Sequence, residues 1–404
     1  MSDRNKLSGQ GIASTTTGPE PLLTDPTGQV QRIAVVGTLA ETMLGFRADL
    51  LKTMAAAGHQ VYAFATDYDE NSIAAVKALG VTPVSYQLSR FSLNPLADLK
   101  TCWQLYKLFK QYQISLSFCY FAKPVIYGSL AAWLARVPLR VAKIEGLGRA
   151  FTVPASGLTV KAKALRRLQV ALYQLSLPTT HCVFLLNQDD KTDLIDQYRI
   201  NLKQLCVLKG IGVELDNFPI MPVPTEPVRF IFVGRLLNEK GIRYYLAAAE
   251  QLKKRYPQVE FVVLGQPDAG AGALSATELE YYVSNNIVRY PGKVANVVPF
   301  LVQSSVFVLP SYYREGVPRS TQEAMAIGRA IITTDAPGCR ETVEQGYNGI
   351  LVPVHDQAAL EQAMLYFIQQ PEQICTMGLH SRKLAEQHFD VHKTNARIMN
   401  LLNL

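Results

Sequence analysis

From Gln31 onward, short continuous apolar runs alternate with stretches whose apolar residues recur every third or fourth position. The runs are QRIAVVG, VYAFAT, VTPVSYQL, SLSFCYF and RVAKI, and helical patterns lie between them over residues 74–79, 99–112 and 125–134. A run such as IAVVG suits a strand buried on both faces of a parallel sheet, whereas a half-buried strand would alternate. Strand and helix in regular succession predict βαβ units and a doubly wound sheet. The succession breaks at NFPIMPVPTEP, where four prolines in eleven residues support neither helix nor ladder and read as a linker. A second series follows: VRFIFVG, a helical stretch over 244–255, VEFVVLG, NIVRYPG, SVFVLP and AIITT.

The expected fold class is therefore α/β, two Rossmann-like domains facing across a cleft. Residues 1–28, rich in Ser, Thr, Pro and Gly, read as a flexible tail. An N-terminal domain over 29–212, a C-terminal domain over 213–388 and a C-terminal helix over 389–404 complete the division. The helical stretches 372–387 and 391–402 have no strand after them and are expected to pack back across the hinge. In such sheets ligands sit at the carboxyl ends of the strands, which places the site in the cleft.

Length and composition agree with this division. A chain of 404 residues is long for one core, and 48% hydrophobic against 18% charged residues is a folding composition. No apolar run approaches the roughly 18–20 residues of a membrane span, and the N-terminus lacks the basic-then-apolar pattern of a signal peptide. Six cysteines stand singly without CxxC spacing, the usage of reduced thiols in the cytosol rather than of a disulfide framework or zinc site.

Charge changes the picture more. The net +7 is concentrated: residues 1–205 carry 22 basic and 14 acidic side chains, residues 206–404 carry 18 and 19, and between Lys100 and Val170 twelve Lys and Arg face one acid, Glu145. Such a block points to an anionic partner (nucleic acid, a phospholipid surface or a diphosphate) or to a solvated basic face. No nucleic-acid-binding signature accompanies it, so nucleic acid is not an expected partner. Within the block, VKAKALRRLQVALYQLSL puts Leu165, Leu168, Leu172 and Leu175 on one helical stripe beside Lys161, Lys163, Arg166 and Arg167. That helix either lies in an anionic membrane interface or packs on the core with a basic outer face.

Two segments of the second half carry chemistry. In SYYREGVPRSTQEAMAIG, Glu315 sits at the mouth of a strand just before a helix, with Pro318 expected at the first helical position. Amides of Gly316, Val317, Arg319 and Ser320 face an anion at the helix start, and Glu323 follows more than one turn in. The plain alternative is a helix whose early acids complement its dipole. In FVGRLLNEKGI a strand ends at Gly234, and Arg235 and Lys240 lie where two cations would neutralise a diphosphate without a metal. Gly37 holds the corresponding strand mouth in the first half, without a GxGxxG fingerprint. Asp67-Tyr68-Asp69 is a DxD in form, but it follows a first-half strand and reads as helix-capping carboxylates; no metal and no cofactor are expected.

Together these segments resemble the retaining nucleotide-sugar glycosyltransferases of family four, which adopt the glycosyltransferase-B fold, and the resemblance spans residues 31–404. It implies that Arg235 and Lys240 bind the donor diphosphate and that Glu315 hydrogen-bonds the donor sugar. The Gly316–Ser320 stretch would reach sugar and phosphates, Glu323 the ribose, and Tyr290 and Gly292 would lie near the base. GFRADLLKTMAAAGHQVYAFATDYD, FAKPVIYGSLAAWLA, IEGLGRAFT and REGVPRSTQEAMAIGRAIITTDAPGCRETV further resemble the subgroup that extends polyprenyl-diphosphate-linked sugars for bacterial surface polysaccharides. This implies transfer of an N-acetylhexosamine or related sugar from a UDP-sugar to a lipid-linked saccharide, by an enzyme peripheral on the inner face of the cytoplasmic membrane. Many family members place a donor-contacting histidine where this chain has Ile144–Glu145–Gly146. Glu145 is a candidate for that role or for acceptor activation, or is a loop glutamate solvated or paired with Arg149. Lys123 and Arg149 are candidates for the acceptor. The rival readings are a UDP-sugar 2-epimerase of similar fold, which would need histidines this chain is poor in, a catalytically silent binding protein, and a transferase with another donor and a non-lipid acceptor.

Overall fold

The computed structural model describes residues 30–89, 94–268 and 272–404; the tail expected over 1–28 lies outside them. The first half runs β1 (Arg32–Val36), α1 (Ala40–Ala56), β2 (Gln60–Ala65), α2 (Glu70–Ala78), β3 (Thr82–Ser85) and α3 (Pro95–Gln111). It continues with β4 (Leu116–Tyr120), α4 (Ser129–Leu134), β5 (Leu139–Lys143), α5 (Val160–Ser176), β6 (Cys182–Leu185), the short α6 (Gln188–Asp190) and β7 (Leu205–Val207). These strands form one parallel sheet in the order β3-β2-β1-β4-β5-β6-β7.

The second half runs β8 (Arg229–Val233), α7 (Ile242–Arg255), β9 (Glu260–Leu264), α8 (Ala276–Ser284), β10 (Arg289–Gly292), α9 (Val298–Val302) and β11 (Val306–Leu309). Then come α10 (Arg319–Ile327), β12 (Ala330–Thr334), β13 (Gly349–Val352), α11 (Gln357–Gln369), α12 (Glu372–His388) and α13 (Val391–Leu402). Its parallel sheet has the order β10-β9-β8-β11-β12-β13.

Both sheets are covered on two faces, as their unbroken apolar runs require. In β1, Ile33 and Val35 join the core that holds Met43 and Leu51 of α1, while Ala34 and Val36 join the one that holds Leu105 and Phe109 of α3. Right-handed crossovers explain the partition: β1 to β3 step one way across the sheet and β3 to β6 step back, so α1 and α2 cover one face and α3, α4 and α5 the other. The α1-side core continues through Leu208, Ile211 and Val213 into the core of the second sheet.

Two expectations need correction. Of the last two helices, α12 packs on α10 and β12 within the second half, and it is α13 that packs on α1. Val213 fastens the crossing, its N–H bonding Phe389 O (2.8 Å) and its carbonyl accepting from Val391 N (3.1 Å). The four leucines of α5 do not share one environment. The helix buries Val170, Tyr173 and Ser176, with Leu165 and Leu172 at the edge of that face, whereas Leu168 and Leu175 are exposed.

Candidate active site

In each sheet the direction of winding reverses between two central strands, β1 and β4 in the first and β8 and β11 in the second. The helices diverge there and open a crevice at the carboxyl ends. That reversal brings together groups 75 residues apart: Lys240 after β8 and Glu315 after β11 form a direct Nζ–Oε1 ion pair. Ser311 adds its hydroxyl to the same carboxylate oxygen at 3.1 Å. Glu315 is buried, and an unpaired carboxylate there would carry a desolvation penalty of several kcal/mol, about what these two donors offset. The Tyr313 ring lies beneath both cations of this mouth, 5.4 Å from Lys240 Nζ and 5.9 Å from the Arg235 guanidinium. Burial raises the Tyr313 phenol, with Glu315 adding to the effect. Arg235 is half exposed and rests on Asp268 at 2.7 Å.

The helix after Glu315 begins one residue later than expected, with Pro318 capping and Arg319 first. Arg319 bonds Glu323 one turn on, Nε to Oε1 at 2.9 Å, and burial raises the Glu323 carboxyl although Arg319 opposes it. Tyr290 donates to Gly265 O at 2.9 Å, and Gly292 stands beside the same turn, accepting from Gly265 N at 3.0 Å.

The first half supplies a second charged cluster. The Glu145 carboxylate contacts Arg47 of α1 directly and lies 3.3 Å from Lys143 Nζ, not against Arg149. Arg47 and Lys143 are 2% and 1% exposed, and Arg47 also covers the Tyr120 ring at 4.6 Å. Burial holds Arg47 down to about 10 and Lys143 well below its ordinary value, the nearby Arg47 charge adding to the latter. Arg149 is exposed, 3.9 Å from Glu239. Lys123 bonds Asp98 and Ser89 O, each at 2.8 Å. Gly37 has the Tyr120 ring against it and accepts from the Tyr86 hydroxyl. Asp69 caps α2 through Ser72 N (2.8 Å) and Asp67 accepts from Ala40 N at the start of α1 (2.7 Å).

The two clusters meet through the loop that carries Glu315. Gly148 N bonds Arg314 O (3.1 Å), and Arg314 N bonds Thr152 Oγ1 (3.1 Å). The Arg314 guanidinium spans Asp190 (2.9 Å) and Asp193 (2.5 Å). Buried Asn187 donates its amide to Glu315 O (3.2 Å) and Gly316 O (2.8 Å). Gly146, at φ +93°, faces Gly316 so closely that a Cβ on either would run into the other strand of backbone.

Comparison with known proteins decides the family. Residues 227–370 match the family described as Glycosyl transferases group 1, and residues 46–208 the Glycosyl transferase 4-like domain. The chain belongs to the family-four glycosyltransferases. This glycosyltransferase is 28% identical over 335 residues to the N,N'-diacetylbacillosaminyl-diphospho-undecaprenol alpha-1,3-N-acetylgalactosaminyltransferase of Campylobacter jejuni, covering 79% of this chain and 84% of that one. It is 25% identical over 307 residues to the UDP-Gal:alpha-D-GlcNAc-diphosphoundecaprenol alpha-1,3-galactosyltransferase of Escherichia coli, covering 72% and 74%. Sucrose-phosphate synthase from Thermosynechococcus elongatus superposes with a TM-score of 0.73 at 19% identity over 92% of this chain and 98% of that one, which places the glycosyltransferase in the glycosyltransferase-B fold.

Sequence reasoning missed Arg47, Lys143, Tyr313, Asn187, Asp190 and Asp193 of this glycosyltransferase. A signal existed for two of them. Lys143 interrupts the apolar run RVAKI, and Asn187 opens NQDD directly after the run CVFLL, a strand end followed by a helix cap.

Proposed function

We propose that this glycosyltransferase moves a sugar, of the N-acetylhexosamine class, from a UDP-sugar to a polyprenyl-diphosphate-linked saccharide in surface polysaccharide synthesis, with retention and without a metal. The observation that carries the reading is the Lys240–Glu315 pair with Arg235 beside it at the strand reversal of the second sheet. The lipid-diphosphate acceptors named for the C. jejuni and E. coli relatives support the acceptor class, and the UDP-Gal named for the second supports the donor.

In this mechanism Arg235 and Lys240 take the donor diphosphate and offset the charge that grows on the leaving UDP, the main catalytic effect. Glu315, relieved of part of its bond to Lys240, accepts hydrogen bonds from the sugar hydroxyls. Backbone N–H groups of Gly316, Val317, Arg319 and Ser320 reach the sugar and phosphates, and Glu323 takes the ribose. The Glu145 carboxylate is committed to Arg47 and Lys143, which argues against its acting as a nucleophile and favours attack from the face the nucleotide leaves, the departing phosphate receiving the acceptor proton. Lys123 and Arg149 serve the acceptor. Because that acceptor is held in a bilayer, the enzyme works peripherally at the inner face of the membrane.

The test offers UDP-GalNAc, UDP-GlcNAc, UDP-Gal, UDP-Glc and GDP-Man, each with a short-chain polyprenyl-diphosphate N-acetylhexosamine, with and without EDTA. One UDP-sugar is expected to give a glycolipid with retained anomeric configuration in both conditions. Transfer from GDP-Man alone, inversion, or loss of activity in EDTA that added metal restores would each overturn part of the reading.

A further inference from the structure

We infer that the outer surface of α3, α4 and α5 is a docking face for an anionic lipid bilayer, with Trp103 and Trp133 seated among the headgroups. The purpose of this face rests on the lipid-linked acceptor proposed above; its existence rests on placement and charge.

The three helices share one face of the first sheet, and their inner sides are spent on its core through Leu105, Phe109, Ala131, Val170 and Tyr173. Their outer sides remain apolar where a solvated surface would be polar. Leu99 and Trp103 on α3, Trp133 and Leu134 on α4, and Leu168 and Leu175 on α5 are all exposed. The chain has two tryptophans, and both are here, 56% and 51% exposed. Indole favours the boundary between headgroup and acyl chain, where its ring is dry and its N–H wet.

Charge selects the occupant. The helices α3 and α5 carry seven Lys and Arg against one acid, Asp98, and that acid is buried and held by Lys123 (2.8 Å) and Tyr127 (2.8 Å). The cations flank the apolar positions: Lys107 lies 5.5 Å over the Trp103 ring, and Lys163 and Arg167 stand exposed on α5 near Leu168. Apolar side chains flanked by cations, on helices whose one acid is buried, complement an anionic bilayer, to which each basic residue near the surface adds attraction. The contact between Lys123 and Asp98 also joins the start of α3 to the end of β4, so the face borders the cleft on the side where a lipid-held diphosphate arrives.

The full chain is mixed with phosphatidylcholine vesicles with and without phosphatidylglycerol. Because the tryptophans occur only here, their emission reports the face directly. A blue shift, quenching by brominated lipid and cosedimentation are expected with the anionic vesicles, reversed by salt. Arg167→Glu with Leu168→Glu should weaken cosedimentation by roughly tenfold or more. Its transfer to a short-chain, water-soluble acceptor should stay at the wild-type rate, and transfer to vesicle-embedded acceptor should fall. Unchanged emission with anionic vesicles, or equal binding to neutral ones, overturns the proposal. So does a double variant that changes the oligomeric mass of the protein instead of its vesicle binding, which would make the face a contact between copies. Vesicle binding without transfer to any soluble acceptor would count against the proposed function alone.

Discussion

The two halves of this enzyme solve the same electrostatic problem differently. Each places a glutamate in the crevice beside its central strands and compensates it with lysine or arginine. In the second half Glu315 is matched by one lysine and a hydroxyl, with Arg235 half exposed nearby, an arrangement that an incoming diphosphate and sugar can take over. In the first half Glu145 is matched by two basic groups, both sealed, one more than the carboxylate can neutralise, and burial with the Arg47 charge accordingly pushes Lys143 well below its ordinary value. The lesson is that burial sorts the two charged clusters: under the proposed function the exchangeable pair would serve the reaction, and the sealed cluster would fix the wall of the crevice.

The sharpest way to break this contrast is at the exchangeable pair. Glu315→Ala and Lys240→Ala are each expected to lower kcat/KM by about 10²–10³ in a glycolipid assay, on the scale of removing one preorganised transition-state contact. Loss of activity of only a few fold in both would place the chemistry elsewhere. At the sealed cluster the expected reading is stability. Arg47→Ala should cost about 3–5 kcal/mol in denaturant unfolding, because it leaves Glu145 with the poorer of its partners. Lys143→Met, by contrast, leaves a neutral Arg47–Glu145 pair and should stay within about 1 kcal/mol of wild type or exceed it. If Lys143→Met is instead as damaging as Arg47→Ala, the surplus-charge account fails.

The loop between the halves gives smaller effects. Asn187→Ala removes the donor to two carbonyls of the Glu315 loop and should reduce kcat about tenfold, with a stability change near about 1 kcal/mol. Asp190 yields a pH signature. Burial pushes its carboxyl up to about 6 from 3.8, although Arg314 pulls it down. The sign follows: the fold favours neutral Asp190, so its contribution to stability is complete below the unfolded value and is lost as pH rises through about 6. Its charge, and with it the ion pair to Arg314, is present only above that pH. Activity should therefore decline by a few fold as pH falls through about 6, and Asp190→Asn should flatten that limb.

Ten of the thirteen strands among the described residues were legible as apolar runs because sheets buried on both faces demand them. The three that were not show why. β7 has three residues and β13 begins with a glycine, so strand pairing rather than local preference makes them, and β6 is a short run tucked behind α5. Of the candidate site residues, Arg235, Lys240, Glu315 and Glu323 could be singled out because they stand in two compact segments that follow strands. Arg47 was not, since α1 shows an arginine like any surface residue until Glu145, almost a hundred positions on, is folded against it. Asn187 acts on carbonyls more than a hundred residues away, and only the assembled halves reveal that.

The meeting of Gly146 with Gly316 has a practical consequence. Main chain touches main chain there, so a single methyl group would serve as a doorstop. Gly146→Ala would wedge the loop after β5 away from the loop that carries Glu315 and hold the halves ajar, so that, under the proposed function, the altered enzyme should still take up its donor on the second half but turn over slowly.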